Sequence, residues 1–211
     1  MSANPKLIPQ QEYILQGSIN DSALEMLLHR LQGLCDNADS PAETFLDREY
    51  VYSIRNPNGQ AVLLRVRQDL ERKDYPWHLR YLGQPEIGDK TRATLVRSCI
   101  DVACSNNVGQ FLQEMGFKKD YEFYSKGYMF KKGRLKVIVA KVFHLLTPEA
   151  NQSQQPVFSE NNLETVTQSH LVEVSIVAPS GSDPLADEIK QFADQLKPLV
   201  DLVKIDPRRL A

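Results

Sequence analysis

The chain has 211 residues, 42% of them hydrophobic and 25% charged, and a formal net charge of −2 at pH 7. This length fits one domain that buries its own apolar core without a disulfide or metal staple. The near-neutral charge gives no global attraction to nucleic acid or to an anionic membrane. No uninterrupted apolar run approaches the roughly 20 residues that a membrane-spanning helix needs, so no membrane association is expected.

The cysteines also limit the class of protein. Cys35, Cys99 and Cys104 form no CxxC pair, and an odd number without that spacing argues against a disulfide framework and a zinc knuckle. The first residues, MSANPKLIPQQEY, lack the apolar core of a secretory signal. We therefore expect a reducing compartment, with Cys99 and Cys104 as small buried side chains.

The N-terminal part predicts a strand and then a helix. Residues 12–19 have strand character, and residues 20–22 are good helix-capping types. The apolar residues that follow recur at helical spacing: Leu24, Leu27, Leu28, Leu31 and Leu34.

Four further strands are predicted up to residue 104. Residues 44–55 and 60–70 should form a hairpin, because NPNG at 56–59 is a strong turn signal. Residues 77–83 are predicted as the fourth strand. Residues 91–104 are rich in β-branched types and are predicted as the fifth strand, with a helix as the alternative.

A second helix and a second hairpin are predicted next. The helix follows residues 105–107 and ends near Gly116, where a left-handed residue is needed. Residues 121–132 and 134–146 flank Gly133 and are predicted as the two strands of the hairpin.

The last part contains a polar segment, a strand and a helix. Residues 148–166 are rich in Asn, Gln, Ser and Glu, and we interpret them as a mobile insertion between neighbouring strands. Residues 169–179 are predicted as the eighth strand. The third helix opens at Asp183-Pro184 and ends before Pro198.

These elements predict a mainly β (α+β) fold in a single domain over residues 1–211. Strands joined mostly by short turns favour an antiparallel eight-stranded β-barrel with about three flanking helices. Eight strands close into a barrel whose interior is just wide enough for side chains to fill, and closure removes exposed edges.

The sequence offers little catalytic chemistry. It contains no Gly-x-Ser-x-Gly elbow and no phosphate-binding glycine loop after a strand. The four histidines are scattered, and none has a histidine or cysteine at metal-ligand spacing. We therefore predict no catalytic residue, no cofactor and no metal.

One strand carries a pattern typical of anion binding. In VLLRVR, Arg65 and Arg67 share one strand face, opposite Val66. Inside a barrel such a pair can clamp phosphate, whereas on an outer face it would be a solvated pair. Both placements remain open from the sequence.

The pattern resembles the Arg-x-Arg strand of the triphosphate tunnel metalloenzymes, which are antiparallel eight-stranded barrels. That family holds its metal with carboxylates at alternate positions of the first strand and on a late strand. Here Glu12 is at the edge of the first strand, Gln16 and Ser18 follow, and Ser175 comes two residues after Glu173. We interpret Arg65 and Arg67 as a candidate vestigial anion site. A metal-dependent triphosphate or polyphosphate hydrolase is the disfavoured alternative.

A basic run, KKDYEFYSKGYMFKKGRLK at 118–136, interleaves lysines with aromatics. Such a run can dock a nucleic-acid backbone. On a hairpin, however, the aromatics more often face the core and the lysines protect an exposed edge. Direct nucleic-acid binding is therefore not expected.

Four separate stretches resemble, in the right order, the family of Mediator complex subunit 18: LQGSINDSALEMLLHRLQGLCDN, PWHLRYLGQPEIGDK, FLQEMGFKKDYEFYSKGYMFKKG and FADQLKPLVDLVKIDPRRL. The resemblance covers nearly the whole chain and is weakest in the first ten residues and at 147–167. It implies a nuclear, non-enzymatic subunit of the Mediator head module, which links gene-specific activators to RNA polymerase II. It also implies pairing with a related barrel, Mediator subunit 20, and tethering by a C-terminal helix of Mediator subunit 8.

A subunit that works by binding needs an exposed contact surface. Met26 and Arg30 lie one helical turn apart beside the leucine stripe and are candidates. In PWHLRYLG, His78 and Arg80 share the strand face opposite Trp77 and are also candidate partner-interface residues. Trp77 itself is either a core residue or an interface anchor.

Overall fold

The computed structural model describes residues 10–36, 38, 40–55, 61–86, 92–146, 158–180 and 184–205. Within them the strands are β1 (Gln10–Asn20), β2 (Glu43–Arg55), β3 (Ala61–Asp69), β4 (Trp77–Pro85), β5 (Leu95–Cys104), β6 (Lys118–Lys132), β7 (Leu135–Leu145), β8 (Leu163–Thr165) and β9 (Ser169–Pro179). The α-helices are α1 (Leu24–Leu34), α2 (Val108–Glu114) and α3 (Pro184–Asp194). Among the described residues, no helix is long and apolar enough to cross a membrane.

The strands close into a barrel. Their order is β6-β2-β3-β4-β5-β1-β9-β7, each neighbour pair is antiparallel, and β7 returns to pair with β6. The short β8 extends the sheet beside the end of β7. The predicted eight-stranded antiparallel barrel is confirmed, and the ninth strand is an addition.

Most predicted elements appear close to their predicted ranges. β5 is a strand and not the alternative helix, because each of its residues from Leu95 to Cys99 pairs with β1 and the rest of it pairs with β4. β6 begins at Lys118, three residues before the predicted start, since its first residues pair with the end of β2. The predicted NPNG turn lies outside the described residues.

Two glycines in turns have a positive φ, as predicted for Gly116. Gly116 adopts a φ of 93° after α2, and Gly133 adopts a φ of 56° between β6 and β7. Both values lie in the left-handed region that favours glycine. The backbone N–H of Gly133 also donates to Asp36 at 2.6 Å, which ties the hairpin to the end of α1.

The apolar core lies outside the barrel, between the sheet and the helices. The leucines of α1 and the apolar face of α3 pack on the outward residues of β1, β7 and β9. On the other side α2 covers the outward residues of β2, β3 and β4, where Val66 and Leu112 are buried. The strands under the helices therefore turn one face toward a helix and the other toward the barrel axis.

The barrel interior differs from the filled core that the strand count predicted. It contains a cavity of ≈ 740 Å³ lined by many charged side chains. Because charged groups need water or a partner of opposite charge, these side chains cannot collapse into an apolar core. The interior is therefore a polar tunnel.

The segment predicted as an insertion is partly built into the fold. Residues 160–162 form a 3₁₀ turn, β8 pairs with β7, and Phe158 stacks on Tyr124 at 5.2 Å between ring centroids. The sequence did not predict these elements. Residues 147–157 lie outside the described part, and the mobility of 148–166 stays a prediction.

Candidate functional site

The charged tunnel is the candidate site. Its wall combines acidic, basic and polar side chains from β1 to β7, from β9 and from the β3–β4 loop. Its basic residues are Arg65, Arg67, Arg72, Arg80 and Lys136, together with His78. Its acidic residues are Glu12, Glu43, Asp47, Glu49, Asp69, Asp101 and Glu173.

Arg65 and Arg67 lie inside the tunnel. Alternation along β3 turns Val66 outward, where α2 buries it, and turns the two arginines toward the axis. Of the two placements left open by the sequence, the interior one is correct. An interior position is compatible with the candidate anion site, which stays a prediction.

Glu12 lies at the centre of the ion pairs in the tunnel. It is 3% exposed, and one carboxylate oxygen accepts from Arg80 at 2.7 Å. The other oxygen accepts from the Nε of Arg97 at 2.8 Å. The sequence analysis placed Glu12 at the edge of the first strand. In the sheet, its backbone is in register with Arg97 of β5 on one side and with Val177 of β9 on the other.

A second acid that the metal-dependent family would need, Glu173 on the late strand, already has a hydrogen-bond partner. Gln16 donates a hydrogen bond from its side chain to Glu173. Burial raises the pKa of Glu173, while Gln16 and the more distant Arg65 oppose that shift. Among the described residues, no three His, Cys, Asp or Glu side chains are arranged to hold a metal ion. In the described part of the tunnel, Glu12 and Glu173 are therefore both held by other side chains.

Asp47 and Arg67 form a loose pair in the tunnel wall. The closest nitrogen–oxygen distance is 3.8 Å. Burial raises the pKa of Asp47 to about 6, and Arg67 offsets only part of this shift. Asp47 is therefore an acid that titrates close to neutral pH.

Lys136 is a tunnel residue that the sequence analysis missed. It projects inward from β7, and burial lowers its pKa, helped by the positive charges of Arg67 and Arg80. Strand alternation could have indicated this residue from the sequence. In LKVIVAKV, Lys136 lies on the strand face opposite Val137 and Val139, which are both fully buried.

His78 and Arg80, the other two candidate partner-interface residues, lie in the tunnel wall. His78 lies 3.6 Å from Asp101, and Arg80 reaches Glu12 and Asp101. Strand alternation had separated them correctly from Trp77, but the sequence could not say which face pointed outward. Their role as partner contacts stays a prediction.

Met26 and Arg30 have different environments on α1. The side chain of Met26 is 59% exposed. Arg30 instead donates to the backbone carbonyls of Lys197 at 2.8 Å and Gln195 at 3.5 Å, just beyond α3. Arg30 therefore joins α1 to the end of α3, whereas Met26 remains a candidate contact residue.

Trp77 belongs to the outer core under α2. Its ring stacks on Tyr50 at 5.8 Å with an interplanar angle of 11°. It packs, partly buried, against the cluster that contains Val66 and Leu112. Of the two interpretations of Trp77, its packing agrees with the core residue.

The basic run does not form one patch. Lys136 points into the tunnel, and Lys132 lies over the ring of Phe192. Others pair with acids, in the pairs Lys119–Glu122, Lys126–Glu160, Lys131–Glu43 and Arg134–Glu188. This distribution leaves no continuous basic stripe on the described part of the hairpin.

The chain resembles known proteins over nearly its whole length. A family model described as Med18 protein matches residues 11–210. A Xenopus tropicalis protein named Mediator of RNA polymerase II transcription subunit 18 is 52% identical over 203 residues, which are 96% of this chain and 92% of that protein.

Two solved structures show the same fold. A chain of the Schizosaccharomyces pombe Mediator head module matches with a TM-score of 0.70 at 18% identity, over 92% of this chain and 98% of that chain. A Hippeastrum protein, described as a putative adenylyl cyclase with a dominant triphosphatase activity, matches with a TM-score of 0.52 at 10% identity, over 95% and 94%. At these identities the likeness concerns the fold alone.

Proposed function

Since this chain belongs to the family of Mediator subunit 18, we propose that it works as a non-enzymatic interaction subunit of the Mediator head module. In this role it would help to link gene-specific activators to RNA polymerase II, and it would act in the nucleus. The observation that carries the proposal is the 52% identity to a named Mediator subunit across 96% of the chain.

The tunnel supports the non-enzymatic part of this proposal. Metal-assisted phosphoryl chemistry needs carboxylates with free oxygens. Both oxygens of Glu12 accept from arginines, and Glu173 is hydrogen-bonded to Gln16 and buried. The triphosphate tunnel family, which the Arg65 strand resembles, holds its metal with carboxylates. Here Gln16 and Ser175 stand at two of those positions, and the remaining acids already have hydrogen-bond partners.

The partners proposed are Mediator subunit 20, as a second barrel, and the C-terminal helix of Mediator subunit 8. A tethering helix requires an exposed apolar contact on this chain. Met26, on the outer side of α1, is our candidate for that contact, because it is large, apolar and 59% exposed.

Co-expression tests the partner proposal. The chain should co-purify with subunit 20 and the subunit 8 helix, and Met26→Glu should weaken this association about tenfold or more if Met26 is a central contact. Gln113→Glu places the same new charge on the exposed side of α2 and serves as the matched control. Equal recovery with both variants would remove Met26 from the interface.

The alternative function, a metal-dependent triphosphate hydrolase, is tested separately. Purified protein with Mn²⁺ or Mg²⁺ should release no phosphate from tripolyphosphate above a blank. Steady turnover that Arg65→Ala abolishes would contradict the non-enzymatic assignment.

A further inference from the structure

Within the described residues, the last five residues of β5 form an open edge of the sheet. Over Ile100–Cys104 the strand pairs with β4 on one side. On the other side the register with β1 ends at Cys99, which lies opposite Gln10. No described residue outside β4 makes a backbone hydrogen bond or an isolated bridge to Ile100–Cys104. The stagger of β1 against β5 therefore leaves backbone donors and acceptors available for another strand.

The outward face of this edge is apolar and exposed. Because Asp101 lines the tunnel, strand alternation turns Ile100 and Val102 outward. Ile100 is 49% exposed and Val102 is 46% exposed. Val102 is in register with Leu79 of β4, which packs in the cluster under α2. The apolar surface under α2 therefore continues to the open edge, where it remains exposed.

The tunnel face of the same edge carries an acid whose charge is only loosely compensated. Asp101 lies 3.6 Å from His78 and 3.8 Å from Arg80, and both distances are longer than a hydrogen bond. Arg80 makes its shorter contact, of 2.7 Å, with Glu12. The Asp101 side chain is 42% exposed, so a cation on a neighbouring strand can reach it.

The edge carries few of the features that keep sheet edges from pairing. Ile100–Cys104 contains no lysine and no proline, and its register with β4 is continuous. Two copies of this chain that paired here would bring their Asp101 carboxylates onto one face as direct or diagonal neighbours, where like charges repel. The edge therefore favours a strand from a different protein over a second copy.

We propose that Ile100–Cys104 accepts an extended segment of a partner protein as an added β-strand. The segment carries a basic residue between two apolar residues. The basic side chain lies beside Asp101 on the tunnel face, and the apolar side chains lie beside Ile100 and Val102 on the outer face. This surface is separate from Met26, whose helix packs over β1, β7 and β9. It is therefore a contact in addition to the one proposed for the Mediator partners.

A synthetic peptide with Thr-Val-Lys-Val-Thr at its centre is the probe, and NMR amide exchange of the full chain is the measurement. Millimolar peptide should slow exchange within Ile100–Cys104 about tenfold or more and leave the amides of α3 unchanged. Val102→Lys should weaken binding about tenfold, because a lysine on an edge strand opposes pairing. Val166→Lys makes the same change at a position that is 55% exposed and outside β5, and it should bind like the parent.

A double-mutant cycle tests the charge pair at Asp101. Asp101→Asn in the chain, or glutamine for lysine in the peptide, should each weaken binding about threefold, as expected for an exposed ion pair. Because both changes remove the same interaction, the two together should also weaken binding only about threefold. Fully additive losses would show that the peptide lysine does not lie beside Asp101, against the proposed pairing.

Three further results would overturn the site. The first is no binding of the peptide at millimolar concentration, and the second is equal binding by the parent and Val102→Lys. The third is exchange of the edge amides in the free chain as slow as that of Val137 and Val139 in β7, because the edge would then be covered already. Each result can occur while co-purification with Mediator subunits is unaffected, so the two proposals fail separately.

Discussion

Glu12 and Arg80 form an ion pair of 2.7 Å inside the barrel, across the tunnel wall from β1 to β4. Arg97 occupies the second oxygen of the same carboxylate. One acid therefore neutralises two arginines from two other strands. The arrangement compensates two of the tunnel's positive charges and engages both oxygens of Glu12.

Replacing Glu12 should destabilise the barrel. Glu12→Gln removes the charge that compensates Arg80 and Arg97, and breaking a buried pair in this way costs about 3 kcal/mol. Chemical denaturation monitored by circular dichroism measures the change. Glu25→Gln, on the exposed side of α1, is the control and should unfold like the parent. Parental stability of Glu12→Gln would show that the tunnel does not depend on this acid.

Asp47 should make stability depend on pH between about 5 and 7. Burial raises its pKa to about 6 in the folded state from the ordinary value of 3.8, so the folded protein holds this proton more tightly than the unfolded chain. The contribution is therefore present at low pH and is lost as the pH rises through 6. From pH 5 to pH 7 the loss is about 1 kcal/mol.

Asp47→Asn should remove this part of the pH dependence, whereas Asp74→Asn, at an exposed position in the β3–β4 loop, should keep it. Urea unfolding of the three proteins at pH 5, 6 and 7 is the measurement. An unchanged slope in Asp47→Asn would mean that Asp47 is already ionised at pH 5.

Closure of the barrel depends on the absence of a side chain at Gly127. A Cβ there would lie 2.0 Å from the carbonyl oxygen of Val139 and 2.8 Å from the Cα of Ala140, both in the backbone of β7. Gly127→Ala should force β6 and β7 apart and cost about 3 kcal/mol or more. Gly33→Ala on α1 meets nothing within 4 Å and should stabilise the helix by up to ~1 kcal/mol. If both variants have the same thermal midpoint, the tight β6–β7 contact is not present in solution.

Substitutions of Arg30 and Met26 on α1 should have different effects on fold stability. Arg30→Glu removes the hydrogen bonds to the carbonyls of Lys197 and Gln195 and places a negative charge beside them. We expect a loss of about 1–2 kcal/mol. Met26→Glu changes an exposed side chain and should leave the thermal midpoint within about 1 °C of the parent's value. A lower midpoint for Met26→Glu would show that Met26 packs within the fold.

The sequence predicted the barrel well because strand alternation and turn signals are local. The stripe of α1 and the two hairpins follow from residue spacing alone, and the β-branched run at 91–104 became β5 as expected. Residues 158–165 were missed because β8 has only three residues and depends on pairing with β7 and on the Phe158–Tyr124 stack. Such a segment has no periodicity of its own.

The candidate site could be predicted only in part. Alternation showed that Arg65 and Arg67 share a face, and that His78 and Arg80 share another. Which face points to the axis depends on where the helices pack, and that is a long-range property. The pairing of Glu12 with Arg80 and Arg97 joins residues 68 and 85 positions apart, so no local pattern reveals it.

The central claim is that the chain is a Mediator subunit, and affinity purification of the tagged full chain from nuclei tests it most directly. Quantitative mass spectrometry should recover other Mediator subunits, with subunits 8 and 20 in near-equal amounts to the tagged chain. The recovery should persist in Arg65→Ala, whose side chain lies in the tunnel away from the proposed contact. Mediator subunits at the level of an untagged control, with the tagged protein folded and nuclear, would contradict the account.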